Sequence, residues 1–162
     1  MKRVLSLSIV IILIITQSVM AQSPKKQTVY STWENMEIDK CASAWLLKQF
    51  VDKQAVFRFF AKGALISDGI PFDVPQADIR RYHTLSSFEY IMKKHKITDP
   101  ALKQIAKIIH DIEINFWGEK KIKNSEEIYS IFQKIMETSK TPEECFMSSF
   151  KYFNELYGEF NE

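Results

Sequence analysis

Glycine and proline are scarce, with 4 and 5 in 162 residues, and cysteine is nearly absent, with 2. So few glycines and prolines exclude a collagen-like or low-complexity chain. Cys41 and Cys145 form no CxxC redox pair, and two cysteines alone cannot complete a structural four-ligand zinc site. The chain also lacks a phosphate loop, a dinucleotide glycine fingerprint, an HExxH motif and a GxSxG elbow, which removes the usual grounds for nucleotide or serine hydrolysis. A charge excess is missing as well. Lys and Arg number 22 against 20 Asp and Glu, and Lys2 and Arg3 account for the whole difference. No charge argument supports a nucleic-acid partner, and none is expected.

What is present is apolar: 46% hydrophobic residues, with 13% aromatic, enough for a folded core. One apolar run stands apart. Lys2-Arg3 precedes Val4 to Ile15, and Val19-Met20-Ala21 then offers a cleavage point before Gln22, the pattern of a signal peptide over residues 1–21. The run is shorter than a normal spanning helix, so no stable membrane span is expected after processing. Residues 22–162 are then expected in the periplasm or outside the cell, as a single domain with a flexible leader near 22–28. In an oxidising compartment a Cys41–Cys145 disulfide is open, and so is a pair of free core thiols.

Local patterns predict an α+β fold, a small β-containing N-terminal portion packed with several helices. Val29 to Trp33 and Ala55 to Phe60 read as strands, and Ile70 to Val74 as a third constrained by Pro71. Asp39 to Phe50 reads as a helix, with Asp39 as its cap and Ala42, Trp45, Leu46 and Phe50 on one face. The second half turns helical. Ser86 and Glu89 make a capping box, Asp99-Pro100 opens the next helix, and Asn124-Ser125-Glu126-Glu127 starts another. Thr141-Pro142-Glu143-Glu144 is the clearest start signal, and Gly158 permits an end. The stripes of Leu102, Ile105, Ile109 and Ile112, of Ile128, Phe132 and Ile135, and of Phe146, Phe150 and Phe153 are predicted to hide one another as core.

Outside these stripes lies a dispersed polar set. Glu37 and Asp39 precede the first helix, His83 follows Arg80-Arg81-Tyr82, and His110-Asp111 closes a central helix. Imidazole and carboxylate donors suit a divalent or redox-active metal when the fold brings them together, with Asp39, His83, His110 and Asp111 as ligands and Glu37 beside them. The alternative makes them helix caps and local partners. Arg58, Arg80 and Arg81, with Lys40, offer a second use as donors to an oxyanion, and Trp33, Tyr82 and Trp117 are candidates for a pocket wall.

The run Ile38 to Asp52, then Ala55 to Phe59, Gly69 to Val74, His83, Thr98 to Leu102, Ile108 to Ile112 and Phe153 to Tyr157 resembles the chromate-resistance protein family, specifically the C-terminal domain of ChrB-like proteins. The resemblance implies an exported stand-alone form of a domain that elsewhere follows a regulatory N-terminal region. Asp39, His83, His110 and Asp111 match its recurring polar positions. Lys40 stands where arginine is expected, and Thr84 where glycine or a basic residue is. The expected function is a periplasmic domain associated with resistance to chromate, another small oxyanion or metal stress. The alternative is a non-enzymatic periplasmic binding or interaction domain that works through a partner protein. Neither reading requires catalysis.

Overall fold

The first strand, β1 (Val29–Trp33), lies between two others, and all three run the same way. A computed structural model describes residues 27–115 and 117–162, so the expected signal peptide and most of the expected leader lie outside the described residues. β1 is followed by α1 (Ile38–Leu46), which winds on as a π-helical turn over Leu47–Val51 before β2 (Val56–Phe60). A strand, helix, strand sequence of this kind leads to parallel pairing. β2 aligns Val56 with Val29 and Phe60 with Trp33. β3 (Ile70–Pro71) pairs on the other side of β1, opposite Tyr30 and Ser31, which gives the order β2-β1-β3.

The third strand is shorter than the predicted 70–74 for two local reasons. Pro71 brings no N–H to a ladder, which an edge strand tolerates, and Asp73 turns the chain away with φ 49°. Gly69 just before it has φ 81°, and a Cβ there would stand 2.3 Å from the Ser31 hydroxyl, so the close approach of β3 to β1 requires glycine.

Helices α2 (Ser87–Lys94), α3 (Pro100–Glu113), α4 (Ser125–Thr138) and α5 (Pro142–Glu159) complete the α+β fold. Ser86 and Glu89 form the expected reciprocal box, and Asp99 accepts the Leu102 amide at 2.9 Å. Thr141 accepts the Glu144 amide at 3.2 Å, but the Glu144 carboxylate returns to the Lys140 amide, one residue earlier than a reciprocal box would place it. Asn124 starts α4 in the left-handed region, φ 72°, without a side-chain cap, and Gly158 lies inside α5 rather than after it.

One buried apolar cluster runs from Tyr30 to Leu156. Trp45 is its hub: the ring lies parallel to Phe88, meets Phe153 and Tyr157, and donates from Nε1 to Asn154 Oδ1 at 2.8 Å. Burying an indole of about 200 Å² stabilises by roughly 5 kcal/mol at about 25 cal/mol/Å². Phe57 and Phe59 pack on Phe146, which fastens the sheet to α5. The stripes predicted as core are core.

Candidate functional site

In an open parallel sheet the strand order decides where a crevice opens. Where successive connections leave a strand toward opposite sides, the loops part beyond the carboxyl ends, and ligands seat there. The order β2-β1-β3 puts that point beyond Trp33, the last residue of β1. A cavity of about 470 Å³ lies there, walled by Trp33 and Asn35 after β1, Lys62 after β2, Asp73 after β3, and Arg80 and Arg81, with Glu37 at the head of α1.

Three of these lining residues are tied together by Lys40, whose side chain is 1% exposed. Its Nζ donates to the Trp33 carbonyl at 3.1 Å and to the Asn35 carbonyl, and stands 4.0 Å from Asp73 Oδ2. A buried ammonium requires such partners. Lys40 therefore fixes the path of the chain between β1 and α1, and burial lowers its pKa against the opposing pull of Asp73 and Glu37.

Asp39 is not the cap of its own helix. Glu37 occupies that position in extended backbone, and Asp39, fully buried one turn inside, accepts the Ser87 amide at 2.7 Å and the Phe88 amide at 2.9 Å. The expected cap thus closes the start of α2, 48 residues away. The Asp39 amide in turn hydrogen-bonds the Glu113 carboxylate. Two helix starts are held by carboxylates from other helices, each placed where the helix dipole favours negative charge.

Arg81 ties this relay to the cleft. Its Nη2 reaches Glu37 Oε2 at 3.1 Å and Glu113 Oε2 at 2.6 Å, and its Nε lies 3.8 Å from Asp39 Oδ2. That Nε and Asn35 Oδ1 are buried with no hydrogen-bond partner among the described residues. Burial raises Asp73 to about 7, helped by the negative charge of Asp39, and raises Glu113 to about 7 against the pull of Arg81. Asp39 is raised by burial as well, despite its two amide donors. Burial works against the Arg81 charge, yet the surrounding carboxylates raise its pKa above the ordinary value. The charged residues of the cleft wall are therefore three cations, Lys62, Arg80 and Arg81, and two acids, Glu37 and Asp73.

The remaining expected site residues lie in other surroundings. His83 is exposed on the turn between the bridged Tyr82 and Leu85. His110 pairs through Nδ1 with Glu89 Oε2 at 2.9 Å. Asp111 accepts the Lys121 amide at 2.9 Å, the Ile122 amide at 3.0 Å and Asn115 Nδ2 at 3.0 Å. Burial opposes its charge, but those donors outweigh burial and lower its pKa to about 2, so Asp111 organises the loop between α3 and α4. His110 and Asp111 border a second cavity of about 350 Å³. Among the described residues no three His, Cys, Asp or Glu side chains gather as a metal would need. Of the expected oxyanion donors, Arg80 and Arg81 converge on the cleft, Lys40 is buried with its Nζ held by the Trp33 and Asn35 carbonyls, and Arg58 pairs with the exposed Asp68. Trp33 borders the cleft, Tyr82 stacks on Tyr90, and Trp117 stands 94% exposed.

Residues 30–160 match the family described as ChrB, C-terminal domain. The chain belongs to that family. No curated protein and no solved structure matches it. In this ChrB C-terminal domain, Asp73, Asn35 and Lys62 line the candidate cleft and Glu113 pairs with its Arg81, and none of the four was singled out from the sequence. Asp73 lies inside the strand candidate Ile70 to Val74 and Glu113 two residues beyond Asp111, so both stood within or next to segments already singled out. Neither had a local signal of its own, because long-range burial is what perturbs them.

Proposed function

We propose that this ChrB C-terminal domain binds a small oxyanion, chromate or a chemically similar dianion, in the cleft at the carboxyl ends of the strands, and contributes to oxyanion-stress resistance through that binding. The observation that carries the reading is the gathering of Arg80, Arg81 and Lys62 on one cleft, with Arg81 Nε lacking a hydrogen-bond partner although Asp39 Oδ2 lies 3.8 Å away. A buried polar atom without a partner is rare and calls for a ligand or a water, and a guanidinium presents donors in a fork that suits tetrahedral and planar oxyanions. The sign of the cleft supports an anion, since Lys62, Arg80 and Arg81 line it and burial raises the pKa of Asp73 to about 7, which weakens the opposing negative charge. Binding alone needs no nucleophile.

The oxyanion reading uses none of the expected metal ligands: Asp39 and Asp111 accept backbone amides, His110 pairs with Glu89, and His83 is exposed. Export by the N-terminal segment, with work in the periplasm, belongs to the same proposal. It is supported by the leading sequence, and no helix among the described residues is long and apolar enough to cross a membrane.

Calorimetric titration of the protein with chromate, and with sulfate as a redox-inert analogue, tests the binding. One site per chain is expected, weakened about tenfold or more by Lys62→Gln, since a lost charge-assisted hydrogen bond costs about 1.5–3 kcal/mol. Lys62 is exposed, so this variant spares the fold. No heat with either anion, or equal affinity in Lys62→Gln and Arg80→Gln, refutes the reading.

A further inference from the structure

Away from the cleft, three sulfur atoms meet where α1 and α5 begin. Cys41 and Cys145 are both free thiols and both buried, and they interact electrostatically. Cys41 Sγ also lies 4.0 Å from Met36 Sδ. Their placement is matched: the Cys41 amide donates to Glu37 O at 3.1 Å and the Cys145 amide to Thr141 O at 3.1 Å, so each cysteine makes the first intrahelical bond of its helix. Both thiols thus sit at the positive end of a helix, a setting that favours thiolate. Met36, Met136 and Cys145 border a cavity of about 310 Å³, which gives the sulfurs a route to solvent.

We propose that Cys41, Cys145 and Met36 form a binding site for a soft monovalent d10 cation of the copper(I) class. Thiolate and thioether donors select such ions over hard or borderline divalent ones. Trigonal metal–sulfur bonds of about 2.3 Å place sulfurs about 4.0 Å apart, the separation already found between Met36 and Cys41. Zinc would want further nitrogen or oxygen ligands, and among the described residues no third His, Cys, Asp or Glu joins the pair. Binding is a proton exchange without oxidation. The cation and two thiols give a bis-thiolate complex of charge −1 and release two protons, while the metal keeps its oxidation state. The Lys40 ammonium acts on Cys41 and offsets that charge.

The test is anaerobic titration of the reduced full-length protein with copper(I) against a chromogenic copper(I) chelator. The expected result is one ion per chain, a near-ultraviolet thiolate-to-metal band, two protons released, and protection of both thiols from a disulfide reagent. Cys41→Ser and Cys145→Ser should abolish the band. Met36→Leu keeps volume and both thiols, so the fold is spared, and its affinity should fall about tenfold or more. Failure of the wild type to compete for copper(I), unchanged thiol reactivity in its presence, or equal affinity in Met36→Leu would overturn the proposal. So would a Cys41–Cys145 disulfide that persists in reductant.

Discussion

Replacing Asp39 by alanine removes one carboxylate and undoes contacts on two helices. Both oxygens accept amides at the start of α2, from Ser87 at 2.7 Å and Phe88 at 2.9 Å, and Asp39, Ser87 and Phe88 are each 0% exposed. Water cannot replace the lost acceptors without opening the core. Leaving a buried donor unsatisfied costs about 1–3 kcal/mol, so two amides cost roughly 2–6 kcal/mol. The freed Arg81 Nε loses its nearest carboxylate, 3.8 Å away, in the same step. Against this stands relief of the charge burial that raises the Asp39 pKa, and a net loss of about 3–4 kcal/mol results, a large fraction of the usual stability of about 5–15 kcal/mol. At an m-value of about 2 kcal/mol/M, the urea midpoint should fall by about 1.5–2 M. Asp39→Asn separates charge from acceptor count. Its one oxygen keeps one amide while its NH2 faces the other, so the loss should be intermediate, about 1–3 kcal/mol. The assay is equilibrium urea unfolding followed by far-ultraviolet circular dichroism. A midpoint for Asp39→Ala within about 0.3 M of wild type would refute the idea that this carboxylate joins α1 to α2.

Other consequences concern pH, the hub and the exposed histidine. Asp73 and Glu113 are raised in the folded protein from 3.8 and 4.5 to about 7, so their contribution to stability is fully present below those ordinary values and is lost as pH rises through 7. Stability should therefore decline by up to about 5 kcal/mol between about pH 5 and pH 8; urea midpoints across that range should fall less steeply in Asp73→Asn, whose side chain suits the left-handed backbone at this position. A flat wild-type profile would contradict the burial of these acids. Asn154→Ala takes the acceptor from the buried Trp45 indole and should cost about 1–2 kcal/mol in thermal or urea unfolding, with Asn154→Asp retaining most of it. His83→Ala, on an exposed turn, should leave both unfolding midpoint and oxyanion affinity unchanged; a loss of affinity would place His83 in the site.

Helix starts were legible because their signals are local. Ser86 with Glu89, Asp99 with Pro100, and Thr141 with Pro142 each carry their partner within three residues. Asp39 shows where that reading stops: its residue type announces a cap, but the helix it caps begins 48 residues later. The parallel order of the strands was equally invisible, since β3 pairs with β1 across about forty residues and only two positions of each. The basic side of the cleft could be named from Arg80 and Arg81, because adjacent arginines are conspicuous in a sequence. Its acidic side could not, because Asp73 and Glu113 become unusual only through what surrounds them.

The central claim is that an oxyanion occupies the crevice beyond Trp33. A crystal of the protein grown with selenate, measured at the selenium edge, tests it most directly. The account predicts one anomalous peak within hydrogen-bond reach of Arg81, bordered by Arg80 and Lys62. A peak confined to other surfaces, or a cleft without one while selenate is ordered elsewhere, would contradict it.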